Sequence, residues 1–183
     1  MDKILKKIFS DEFLVMIIPA EIKLPKNYEL IDMTVSGDNI IDIIENEYIV
    51  TMRIKNVGTF IFSSRYDDLL FEKLQKKYRA YTNYVFGANE TYGYFKILID
   101  GKIARKIASY GVLKGNIRSY EQLRGKPCDY EIKNDCIYKF INENDRLERF
   151  TKEEVFKLFD YYIGFSCLES NSVEQIQIYN YLS

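Results

Sequence analysis

The residues best equipped for chemistry are a run of carboxylates, Glu143, Asp145, Glu148, Glu153 and Glu154. Paired acids can act as general acid and base, or hold a divalent cation, when burial separates their pKa values. These are interleaved with Asn142, Arg146 and Arg149, and acidic residues in a first helical turn are what the helix dipole favours. A solvated surface is therefore the default reading, and an acidic ridge offered to a basic partner is the functional one. The chain contains no histidine. That removes Ser-His and Cys-His nucleophile pairs, His-ligated zinc and imidazole acid-base catalysis. The three cysteines, Cys128, Cys136 and Cys167, fit no zinc spacing, and Cys128 has no base near it in sequence, so it reads as an inert thiol. Gly111-Val112-Leu113-Lys114-Gly115 has the residue types of a phosphate loop but lacks the Gly-Lys-Ser/Thr ending. No catalytic residue, metal or cofactor is expected.

The framework that must hold these residues reads as α+β, a mostly antiparallel sheet with helices packed against it, in one domain over 1–183. Lys and Arg number 26 against 27 Asp and Glu, without the basic excess that nucleic-acid binding usually needs, so no nucleic-acid partner is expected. The apolar run Phe13 to Ile18 is too short to span a bilayer, and Met1 to Phe9 is charged and amphipathic rather than a signal peptide. A reduced, cytoplasmic protein without a membrane partner is the expectation. Tyr 16 and Phe 12 make the chain rich in rings, most of which a core should consume.

In order, residues 2–9 fit an amphipathic helix capped by Asp2, and Phe13 to Ile18 fits a strand covered on both faces. Pro19 and Pro25 bracket an extended connection through Ile22 and Leu24. Tyr48 to Lys55 alternates as a half-buried strand, Asn56-Val57-Gly58 turns, and Thr59 to Ser63 returns. Asp67 caps a helix to Tyr78, and Thr82 to Phe86 is a further strand. Ser119-Tyr120-Glu121-Gln122 predicts a very short helix ending at Gly125. Asp129 to Ile132 and Ile137 to Ile141 read as short strands. Thr151 to Glu154 is a second capping box, opening a helix with Val155, Leu158, Phe159 and Tyr162 on its buried stripe and Gly164 at its end. Ser172 to Leu182 is read as a last helix, with an edge strand as the alternative.

Tyr92 to Tyr110 predicts a β-hairpin around Asp100-Gly101. A three-residue loop, Ile99-Asp100-Gly101, pairs Ile97 with Ile103 and Phe95 with Arg105. It gathers Phe95, Ile97, Ile103 and Ile107 on one face, and Tyr94, Lys96, Leu98, Lys102 and Lys106 on the other. Arg105 is then alone on the apolar face and needs an acidic partner.

From Arg65 to Glu131 the chain resembles a family of small bacterial proteins found around polymorphic-toxin and contact-dependent competition loci. The likeness lies in the helix 67–78, Tyr84-Val85-Phe86-Gly87, Gly93-Tyr94-Phe95-Lys96, Asp100-Gly101-Lys102, Ile103-Ala104-Arg105-Lys106, Gly125-Lys126-Pro127 and Tyr130-Glu131. Ala104 stands where the family commonly carries Val or Leu. The resemblance implies an immunity protein that binds and blocks a cognate toxin, and it brings no catalytic residues. It also implies structural roles for Gly101, Arg105, Gly125 and Glu131, with Glu131 the expected partner of Arg105.

The leading expectation is therefore a non-enzymatic, stoichiometric inhibitor whose partner is a toxin. Glu143, Asp145, Glu148, Tyr179 and Tyr181 are the candidate contacts. A phage- or mobile-element-encoded inhibitor of a host defence nuclease would present the same surface. A carboxylate-based enzyme or small-ligand module would instead need a concave pocket with converging acids. The residue types leave the oligomeric state open.

Overall fold

Phe13–Ile18 (β1) has no exposed residue, and the reason is its place in the fold. It lies inside a sheet, between Gly58–Phe62 (β4) and Asn83–Ala88 (β5), with helices on both sides. The computed structural model describes residues 3–64, 68–90, 92–110, 122–139, 150–168 and 172–182. Among these, nine strands form one antiparallel sheet and five α-helices pack on it, an α+β fold. The other strands are Tyr28–Ile31 (β2), Ile49–Ile54 (β3), Tyr92–Ile99 (β6), Lys102–Tyr110 (β7), Gln122–Gly125 (β8) and Val173–Tyr181 (β9). Their order across the sheet is β2-β9-β3-β4-β1-β5-β6-β7-β8.

The two faces are covered unequally. Lys3–Ser10 (α1), Ile40–Glu45 (α2), Asp129–Lys133 (α4) and Lys152–Tyr162 (α5) bury their apolar residues on one face, with Phe60, Phe86 and Phe95 of the sheet. Phe159 of α5 is the centre of that layer, its ring 5.2 Å from Phe9, 5.1 Å from Phe86 and 5.3 Å from Phe165. The opposite face is closed by Asp68–Lys77 (α3), whose Leu70, Phe71 and Leu74 pack against Met16, Val85 and Leu98. Lys73, Lys76 and Lys77 of α3 face solvent. Covering both faces explains why β3, expected half-buried, is buried everywhere except at Arg53.

Several local expectations are corrected. The hairpin turns through Asp100-Gly101 alone, both at positive φ (53° and 71°), with Ile99 opposite Lys102. A bulge then inserts Ala104, so Leu98 faces Ile103 and Ile97 faces Arg105. The extra residue restores the parity that a longer loop would have given, which keeps Arg105 and Ile107 on the face of Phe95 and Ile97. Ile103, expected on that face, is instead 42% exposed. Residues 129–133 are helix rather than strand, because Glu131 caps the Cys128 N–H at 2.9 Å. Residues 122–125 are a strand beside β7, not the end of a helix. Residues 137–139 are irregular. The tail is β9, an interior strand between β2 and β3 rather than a helix or an edge. Its alternation of Ile176 and Ile178 with Gln177, Tyr179 and Tyr181 outweighs the Ser172 capping signal. The helix α2 and the strand β2 lie where the sequence reading placed no regular element. Thr151 precedes α5 but makes no side-chain cap bond.

Candidate functional site

Polar or exposed groups gather at a buried pair inside the fold, at a cleft beside α1 and at the rim of the sheet. Inside, Arg105 is 3% exposed and Glu131 is fully buried. Arg105 Nε donates to Glu131 Oε2 at 2.7 Å, and Nη2 donates to Oε1. Nη2 also donates to the Tyr138 carbonyl at 2.9 Å, and Nη1 to the Gly125 carbonyl at 3.0 Å. Glu131 accepts two further bonds, from the Cys128 N–H and from the Tyr138 N–H at 3.0 Å. Each carboxylate oxygen thus takes two donors, which is its full capacity. Gly125 lets β8 come this close. Its φ is +84°, and a Cβ there would run into the Ala104 carbonyl. A buried ion pair with every carboxylate lone pair occupied and four of five guanidinium N–H groups engaged holds β7, β8 and α4 together.

Around this pair sits a cluster of phenols and thiols. The Tyr138 hydroxyl donates to Glu154 Oε2 at 2.5 Å, and Lys157 Nζ donates to Oε1 at 2.8 Å. Burial pushes the Glu154 carboxyl up, but those two donors outweigh it and hold it below its ordinary value. Burial, reinforced by Glu154, pushes the Tyr138 phenol far up. Burial likewise raises Tyr162, which also hydrogen-bonds Cys128, and it raises the Cys128 and Cys136 thiols. Cys128 is therefore a protonated thiol at neutral pH, not a nucleophilic thiolate.

A shallow cleft of about 360 Å³ opens where α1 meets β1, lined by Ser10, Asp11, Glu12, Asn89, Glu90 and Lys152. Its three carboxylates are exposed, and Lys152 Nζ is engaged by the carbonyls of Ser10 (3.2 Å) and Asp11 (2.6 Å). Among the described residues, no cluster of three or more Cys, Asp or Glu side chains is placed to hold a metal ion. No described helix is long and apolar enough to cross a membrane.

At the rim, β2 ends the sheet. Tyr28 pairs with Tyr181 and Leu30 with Tyr179, so all four share one face. The Tyr28 and Tyr181 rings meet edge-on at 5.4 Å. Leu30 is 55% exposed, and Tyr181 is exposed on the same face. Tyr179 is half-buried, its hydroxyl bonded to Gln177 Oε1 at 3.1 Å. The segment that contains β2 is also acidic. From Asn27 to Met52 the chain carries six acidic residues and no Lys or Arg, although the whole chain is balanced. Those six, Glu29, Asp32, Asp38, Asp42, Glu45 and Glu47, are all exposed. Counting charge by segment instead of by run would have found them.

Of the sequence-derived contact residues, Tyr179 and Tyr181 come together on this rim. Glu143, Asp145 and Glu148 lie outside the described residues, as do the helix caps Asp2 and Asp67, residues 111–115 and the 119–121 capping signal. The chain matches no family model, no curated protein and no solved structure.

Proposed function

We propose that this chain is a non-enzymatic, cytoplasmic binding protein of the immunity type, which neutralises a cognate toxin by covering it stoichiometrically. The observation that supports the reading is the β2–β9 rim. Leu30 and Tyr181 give it an exposed apolar centre on one face, and Glu29 and Asp32 add exposed acids along the same strand. An exposed aromatic and aliphatic anchor with acids on the same strand fits a protein contact in which a few residues carry the affinity and charge sets the partner. A toxin that acts on nucleic acid has to present a basic surface to its substrate, and an acidic cover is complementary to it.

The test is co-expression with the products of the neighbouring genes, to find one that is toxic alone. The expected result is restored growth and a one-to-one complex that survives gel filtration. A folded chain that forms no complex with that toxin overturns the reading.

A further inference from the structure

We propose that β2 is a docking strand: an extended, basic segment of the partner protein adds to the sheet alongside it. The backbone supports this first. Leu182 N–H donates to the Asn27 carbonyl at 2.9 Å, which marks residues 27 and 182 as a hydrogen-bonded pair of the β2–β9 ladder. Bonded and non-bonded pairs alternate in an antiparallel ladder, so Glu29 and Ile31 turn their backbone groups towards β9 and Leu30 turns its N–H and C=O outward. Leu30 is thus the donor and acceptor of the sheet's open edge, and its side chain is among the most exposed aliphatic ones of the chain. Strand addition uses such a pair of backbone groups for affinity and the alternating side chains for specificity.

The side chains say what kind of strand fits. On one face a docked segment meets Leu30, with Tyr181 beyond it. On the other it meets Glu29, and Asp32 stands at the end of β2. An apolar residue alternating with Lys or Arg satisfies both faces. A second copy of this chain does not, because pairing β2 with β2 through Leu30 sets Glu29 opposite Ile31 and Asp32 opposite Tyr28 and brings no cation to either acid. The acids that a basic strand would neutralise stay uncompensated in a self-paired edge.

This deepens the binding reading and rests on it for the partner's identity, but it can be tested alone. The probe is a fluorescent peptide of alternating valine and lysine, titrated against the full chain by anisotropy, with amide exchange at Leu30 followed by NMR. The expected result is saturable, salt-weakened binding that protects the Leu30 amide, and that falls about ten-fold or more in the double variant Glu29→Lys, Asp32→Lys. Leu30→Pro, which removes the outward N–H, should also abolish binding, and the charge variant serves if that one misfolds. No binding to folded wild type, equal binding of a valine–glutamate peptide, or binding that leaves the Leu30 amide unprotected each overturns the proposal. A β2-mediated dimer in solution would do the same. If the charge-reversed chain still captures the toxin, the immunity reading stands and this docking mode falls. If wild type captures no toxin, that reading falls while the peptide titration still decides this one.

Discussion

The Arg105–Glu131 pair and the β2–β9 rim are both rich in groups that could recognise something, and they differ in what is already bound to them. At the pair, a carboxylate takes four donors and a guanidinium bridges three segments, with almost no exposed area. At the rim, Leu30 directs a backbone donor and acceptor outward, and its apolar and acidic neighbours are open to solvent. Charge density alone does not mark a binding surface; unspent capacity does. We assign the pair to stability and propose the rim for recognition.

The largest test of that division is Arg105→Ala. Removing one member of a buried pair leaves the other charge without compensation, so about 3–5 kcal/mol of unfolding free energy should be lost in a denaturant titration. A variant that kept its stability but lost partner binding would reverse the assignment. Replacing both members by apolar residues of similar volume should recover much of the loss. Next comes Gly125→Ala, which forces a side chain onto a backbone at φ +84° and against the Ala104 carbonyl. A cost of about 1–3 kcal/mol from strain alone is expected, again by denaturation.

The phenol cluster sharpens the comparison through pH. Tyr138 and Tyr162 titrate above their ordinary value of 10.0 when folded. The unfolded chain therefore releases their protons first as pH rises. Their contribution is complete below about pH 10 and is lost above it. Melting temperature should fall on the alkaline side, and Tyr138→Phe should flatten that fall. The smallest stability effects belong to the rim. Tyr181→Ala should cost about 1 kcal/mol through its ring pair with Tyr28, and Glu29→Lys should stay within about 0.5 kcal/mol. Both should nonetheless weaken partner binding, measured by calorimetry.

Much of the fold was legible because its signals are local. The apolar run of β1, the stripes of α3 and α5, and the Asp100-Gly101 turn each follow from periodicity or turn chemistry. Arg105 was legible as a problem, since a guanidinium among Phe95, Ile97 and Ile107 demands an acid. What escaped depended on distant partners. A one-residue bulge at Ala104 cannot be seen in side-chain alternation alone. β9 carried signals for both helix and strand, and its pairing with β2 and β3 decided it; residues 129–133 are the local exception, read as a strand and made helix by the Glu131 cap on the Cys128 N–H. The rim escaped because β2 is four residues long and its acids are spread along a segment whose charge the rest of the chain balances.

The carboxylate of Glu131 has one more consequence. It fastens α4 to β7 across 26 residues of chain, so it works as a clasp on a loop. Closing a loop costs entropy only as the logarithm of its length, about 0.6 kcal/mol for each doubling. A clasp that strong leaves the chain between Arg105 and Glu131 room to grow or shrink over evolutionary time without loosening the sheet.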